Sequence, residues 1–248
     1  MSCAFTLGHY CEILESALRA EYVFQGFHQP LSARARRVLY LRHDVDVCLE
    51  EAVDMADLEA ELGVRATYFV LVNSPVYNPL SQDSLELVHQ IQAKGHWIGL
   101  HVDPVLLSSV DASQVEDEVV QLIKFYGSRI PLVPVVSFHR PGATVLGHDF
   151  NSFTSSYSPK FFKEVKYISD SRGIWREGCP CQVLSRSLYP AVQMLVHPVW
   201  WGSSETELLV NRLGRLLGSR LDCFKQYLGQ NIEPIGRLLQ EGGLRDAK

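Results

Sequence analysis

The chain has 248 residues, 46% of them hydrophobic and 21% charged, with a formal net charge of −5. That length accommodates one α/β domain with a full core, and the composition excludes disordered and fibrous classes. The acidic balance gives no reason to expect nucleic acid, and no apolar run reaches the roughly 18–20 residues of a bilayer span, so neither nucleic acid nor stable membrane insertion is expected.

In chain order, HYCEILESALRAEYVF has helical periodicity that Gly26 and Pro30 end. It follows an N-terminus without a basic region leading into an apolar core, so no secretory signal is visible and a cytoplasmic location is expected. RRVLYLRHDVD then reads as a strand, EEAVDMADLEAELG as a helix closed by Gly63, and RATYFVLV as a second strand. SQDSLELVHQIQAKG is a capped helix closed by Gly95, and HWIGLHVD is a third strand. DASQVEDEVVQLIKFYG is a helix, LVPVVSFHRPG a fourth strand, FFKEVKYISD a short helix leading into a short strand, and PAVQMLVHP another strand. From Glu205 the sequence is helical, broken near Gly229 and Pro234. Strand and helix alternate with short joins, which is the pattern of parallel βαβ units. A partial or full (β/α) barrel in one domain, with an added N-terminal helix and C-terminal helices over about 205–240, fits best; an open doubly wound sheet is second.

In such architectures the site lies at the carboxyl ends of the strands. Unusual polar residues collect there: Arg42-His43-Asp44-Val45-Asp46, His101-Val102-Asp103, His139-Arg140, Asp170-Ser171-Arg172 and His197. Residues i and i+2 of a strand share a face, so Asp44 and Asp46 point together and His43 points away. Two adjacent carboxylates repel, and a divalent cation held by imidazole and carboxylate removes that difficulty. For either aspartate alone, a turn or a cap of the next helix is an equal reading.

Together these stretches resemble the polysaccharide deacetylases of the NodB-homology type, carbohydrate esterase family 4. LRHDVD resembles the first motif in an Asp-x-Asp form, KGHWIGLHVD the second, FHRPG the third, YISDSRG the fourth and LVHP the fifth, in order over about residues 38–200. The resemblance implies a distorted (β/α) barrel and a divalent metal, usually zinc. It implies a hydrolase that removes an acetyl or formyl group from an N-acylated amino sugar in surface-polysaccharide or lipopolysaccharide assembly. Asp44 would be the general base, Asp46 and His101 metal ligands, and His197 the general acid; Arg140 and Asp170 would form the ion pair that orients Asp44.

The second motif departs from the family at Val105, where a further histidine is expected. The third ligand is then one of His139, Asp103 and His43. A metal-independent hydrolase of a small non-sugar amide, or a non-catalytic glycan-binding domain, are the alternatives. Trp200 and Trp201 stack on a sugar or cover the barrel end, and Arg172 is a further substrate-binding candidate. Trp175, Arg176 and Glu177 lie in the loop after the fourth motif and are candidates for shaping the substrate pocket. His96 reads as structural, and His9, His28, His89 and His148 as surface or packing residues. Cys179-Pro180-Cys181 reads as two free thiols, because six cysteines are too sparse for a disulfide framework and a lone C-x-C is weak evidence for metal. Arg34, Arg36 and Arg37 read as a solvated lead-in. Oligomeric state is not legible.

Overall fold

The computed structural model of the protein describes residues 3–30, 35–108, 111–203 and 209–240. The chain divides into two compact units, Met1–Glu205 and Thr206–Lys248. No helix among the described residues is long and apolar enough to cross a membrane.

The first unit begins with α1 (Leu7–Arg19), capped by the Thr6 hydroxyl on the His9 N–H. The helix expected to run to Phe24 stops at Arg19, because Glu21 takes a left-handed φ of 59° and the aromatic, β-branched YVF that follows pairs as β1 (Tyr22–Phe24). The alternation expected from sequence then holds: β2 (Arg37–Val45), α2 (Glu50–Glu61), β3 (Thr67–Leu71), α3 (Gln82–Ala93), β4 (Trp97–Val102), α4 (Ala112–Gly127) and β5 (Leu132–Phe138). The chain continues through β6 (Thr154–Ser155), α5 (Pro159–Phe162), β7 (Lys166–Ser169), α6 (Pro180–Ser185) and β8 (Ala191–Val196).

All strand pairs are parallel, in the order β6-β5-β4-β3-β2-β8-β7, with β1 against the first residues of β2. Three inter-strand steps separate β2 from β5, about 14 Å in a flat sheet. Yet Asp44 on β2 accepts a hydrogen bond from Ser137 on β5 at 3.4 Å, and both side chains are short. The sheet therefore curls into a distorted (β/α) barrel, unpaired between β6 and β7 among the described residues.

Alternate residues of β2 separate two environments. Val38 and Tyr40 point into the barrel and pack with Phe27, Phe69, Val135 and Phe161 as an apolar floor. Gly99 on β4 makes that packing possible: a Cβ there would meet Phe69 at 2.8 Å and Val135 at 2.9 Å. Arg42 and Asp44 continue the same face one layer higher, so the barrel is apolar below and charged above. Leu39, Leu41 and His43 face α1 and α2 instead.

The second unit contains α7 (Leu209–Asn231) and α8 (Glu233–Gln240). The break expected near Gly229 and Pro234 falls at Ile232, and α7 runs through Gly229. Pro234 sits in the first turn of α8, where a missing N–H is tolerated. Arg34 lies outside the described residues, and Arg37 donates to the Ala20 carbonyl at 3.2 Å.

Candidate active site

Arg42 is fully buried and organises the floor of the site. Its Nε and Nη2 grip both oxygens of Asp44 at 2.8 and 2.7 Å, Nη1 reaches Gln193 on β8 at 3.2 Å, and Nη2 also meets the Tyr157 hydroxyl at 3.0 Å and the Ser137 hydroxyl. The Tyr157 ring lies 4.5 Å below the guanidinium. Burial alone would raise the Asp44 pKa; the Arg42 charge, helped by His101 and His197, brings it below the ordinary carboxylate range. Asp44 is thus a buried, oriented carboxylate.

His101 on β4 presents its Nδ1 to the Ser137 carbonyl at 3.1 Å. A carbonyl only accepts, so Nδ1 carries a proton, and in the neutral ring Nε2 keeps a lone pair. That lone pair lies 3.2 Å from Asp46 Oδ1 and 3.5 Å from Asp44 Oδ2. His139, just past β5, places Nδ1 3.5 Å from the same Asp46 oxygen. Burial would raise the Asp46 pKa, but His101 and His139 against Oδ1, when protonated, carry it far below the ordinary range.

The donor set fits a divalent cation. Asp46 Oδ1 and His101 Nε2 are both buried and both lack a hydrogen-bond partner, so two acceptors face each other with no donor between them. With His139 Nδ1 they form a three-donor group within 4.8 Å. The two separations of 3.2 and 3.5 Å bracket the edge of about 3.4 Å for a tetrahedron with zinc-like bond lengths.

His197 follows β8 and is held by Asp170. The carboxylate accepts from His197 Nδ1 at 2.5 Å, from the His197 backbone N–H at 2.9 Å and from Trp201 Nε1 at 3.0 Å. Burial would lower the His197 pKa, but the Asp170 charge and hydrogen bond lift it to about 9. At neutral pH the ring is an imidazolium whose Nε2–H lies 3.8 Å from Asp46 Oδ2. Asp44, Asp46, His101, His139 and His197 open together into a cavity of about 780 Å³, walled by Arg140, Arg172 and Trp200. Both arginines adopt left-handed backbone, φ 50° and 66°.

Several expectations are corrected. Arg140 does not pair with Asp170 to orient Asp44: Asp170 is committed to His197 and Trp201, and Asp44 is held by Arg42, two residues away on the same strand face. Trp201 is not an open sugar platform; it is 1% exposed, packed on Phe5 and Tyr10 and bonded to Asp170. Of the three candidates for a third donor only His139 is in place. Asp103 accepts from the Val105 N–H at 3.0 Å as the cap of a short turn, and Val105 itself is 78% exposed. His43 faces outward and bonds Glu59 on α2 at 2.6 Å. Neither aspartate caps α2, whose N-cap is Leu49.

His96 is structural, as expected, with Nδ1 accepting from the Ala66 N–H and Nε2 donating to the Ala56 carbonyl. Ser137, Tyr157 and Gln193 are site residues missed from sequence, whereas Arg42 stands among the strand-end polar residues without a role assigned to it. For Arg42 a signal existed in its i, i+2 relation to Asp44.

No family model matches the chain, and no curated protein matches it. Among solved structures it is similar to the chitin deacetylase of the fungal pathogen Colletotrichum lindemuthianum, at 15% identity over 81% of this chain and 87% of that one, TM-score 0.42. It is also similar to a family 4 carbohydrate esterase of Streptococcus mutans (15% identity, 75% of this chain and 83% of that one, TM-score 0.44). A third is a wild-type pseudoenzyme of the same esterase family from Bacillus anthracis (12% identity, 81% and 64%, TM-score 0.45).

Proposed function

We propose that the barrel unit is a divalent-metal-dependent hydrolase that removes an acetyl or formyl group from an N-acylated amino sugar, a precursor in surface-polysaccharide or lipopolysaccharide assembly. The observation that carries this reading is the pair of buried, unpartnered acceptors, Asp46 Oδ1 and His101 Nε2, facing each other beside an oriented Asp44 and a charged His197. Asp46, His101 and His139 would hold the metal, and zinc suits two imidazoles and one carboxylate with positions left open.

When bound, the metal supplies Lewis acidity toward the acyl carbonyl and lowers the pKa of a water. The chain's own residues do the proton chemistry. Asp44, kept ionised by Arg42, accepts the proton of the attacking water. The C–N bond then breaks as His197 Nε2–H gives its proton to the sugar nitrogen, which would otherwise leave as a poor amide anion. Asp170 positions His197 by fixing its tautomer, so that the donating N–H faces the cavity. Trp200 and Arg172, at the cavity wall, would contact the sugar and its substituents.

The test is acetate or formate release from N-acylated amino-sugar substrates by metal-stripped and zinc-reloaded protein, with Asp44→Asn alongside. Release is expected only after reloading, and Asp44→Asn is expected to lose on the order of 10²–10⁴-fold in kcat while still binding zinc. Equal release by stripped protein would replace this reading with the metal-independent one. Zinc uptake without release from any such substrate would leave the glycan-binding one.

A further inference from the structure

Outside the residues that line the cavity, two thiols and an imidazole from distant parts of the chain meet. His9 on α1 places Nε2 3.0 Å from Cys3 Sγ and 3.2 Å from Cys179 Sγ. These three donor atoms lie within 4.8 Å of one another. Cys181 Sγ touches Cys179 Sγ at 2.6 Å, and all the cysteines are free. We propose that Cys3, His9, Cys179 and Cys181 form a structural zinc site, separate from the catalytic one, that fastens the N-terminal segment to the loop after β7.

Three observations support it. The first is the donor set itself: Cys3, His9 and Cys179 bring three donor atoms within 4.8 Å of one another. Cys181, two residues from Cys179, would complete a Cys₃His site on opening from 2.6 Å to the roughly 3.8 Å that two thiolates on one zinc keep. That is one of the closed tetrahedral arrangements that zinc takes when it serves structure rather than chemistry. The second is the support of the histidine. His9 Nδ1 donates to Glu12 at 2.8 Å, which leaves Nε2 with the lone pair, and Nε2 is the atom aimed at the two sulfurs. A ligating imidazole is ordinarily held in this way by a carboxylate on its other nitrogen. The third is placement. Cys3 precedes α1, His9 lies in its first turn, and Cys179 and Cys181 open α6, so the site joins two helices that a span of 170 residues separates in the chain. Phe5, two residues after Cys3, stacks on Trp175, four residues before Cys179, at 6.2 Å, a second contact between the same two segments.

The two metal sites differ in chemistry, so one experiment separates them. The catalytic candidates are nitrogen and oxygen donors; this site is rich in sulfur, which favours zinc, copper(I) and related soft ions. The site would also pin residues 171–181, the loop that carries Arg172 to the cavity wall. The catalytic reading can fail without affecting this one.

Full-length protein, purified under reducing conditions and stripped with a chelator, is titrated with Co²⁺ and, separately, with Zn²⁺. Co²⁺ is expected to develop a thiolate charge-transfer band in the near ultraviolet. Cys179→Ser with Cys181→Ser should abolish that band and lower zinc content by one equivalent, whereas Asp46→Ala with His101→Ala should keep it. Because the serine variant may not fold, alkylation of the wild type gives a second readout. Zinc should slow the modification of Cys3, Cys179 and Cys181 at least tenfold relative to the exposed Cys223. The proposal is overturned if the wild type gives no thiolate band, or if zinc protects none of the three. It is equally overturned if intact mass shows a Cys179–Cys181 disulfide under the same reducing conditions.

Discussion

The end of β2 feeds two clusters made of the same residue types, one on each face of the sheet. Inward, Asp44 and Asp46 meet His101, His139 and His197; outward, His43 meets Glu59, His96, Tyr10 and Tyr68. The outward carboxylate is saturated. Glu59 Oε1 accepts from His43 Nε2 at 2.6 Å and from the Tyr10 hydroxyl, and Oε2 accepts from the Tyr68 hydroxyl at 2.8 Å. Tyr68 stacks flat on the His43 ring at 4.1 Å, and His43 and Glu59 are inaccessible to solvent. The inward cluster keeps two acceptors without donors and opens to a cavity. Residue type does not separate a functional cluster from a structural one here. Access does, together with the saturation of the carboxylate, for the outward cluster also holds an unpartnered atom, His43 Nδ1, but seals it from solvent.

That contrast predicts different phenotypes. The largest effect is expected from His197→Ala, which removes the proposed acid and should lower kcat, read on the folded fraction, by about 10²–10⁴-fold. The urea midpoint should fall as well, because the loss leaves the buried Asp170 carboxylate without its charge partner. Glu59→Ala should lower stability alone. Removing one partner of a buried ion-paired network costs about 3–5 kcal/mol, read from urea unfolding, while the folded fraction keeps its zinc affinity and kcat. If Glu59→Ala slowed turnover at full folding, the two faces would not be independent.

Asp170→Asn tests the link between a buried carboxylate and the site, with a smaller effect. An amide can still accept from the Trp201 and His197 N–H groups, so the fold should hold, but it cannot sustain the imidazolium. A positioning role predicts about 10–100-fold in kcat with KM nearly unchanged. It also predicts a fall in the pKa of His197, read by NMR, from about 9 toward the ordinary value. A kcat loss without that pKa change would assign Asp170 a structural role only.

The contrast also explains what is legible in the sequence. The alternation of strand and helix is, because a period of two and a period near 3.6 are written locally and closed by capping residues such as Ser81 and Asp111. Strand phase separates His43 from Asp44 and Asp46 for the same reason. The partners are less legible. Arg140 looks like the cation for Asp44 by motif order, but Arg42, two residues away on the same face of β2, takes that place. Trp201 looks like a sugar platform until α1 is packed over it. His9 and the C-x-C are separated by 170 residues, and nothing local to either shows that they meet.

The smallest effect is on acid stability, and it isolates the outward cluster. Burial would raise the Glu59 pKa, but His43 and His96 and the hydrogen bond from Tyr10 draw it below the ordinary value. A carboxyl whose folded pKa is depressed binds protons more readily in the unfolded chain. Its contribution is therefore whole above the unfolded pKa of about 4.3, and it is lost as pH falls through the folded value. The loss amounts to about 1.4 kcal/mol for each unit between the two pKa values. Unfolding free energy measured by urea from pH 7 to pH 3 should accordingly decline below about pH 4.3 in the wild type. In Glu59→Gln that part of the slope should be absent. If Glu59→Gln retained the full acid slope, the carboxylates that drive acid unfolding would lie elsewhere in the molecule, and the outward network would contribute packing rather than charge.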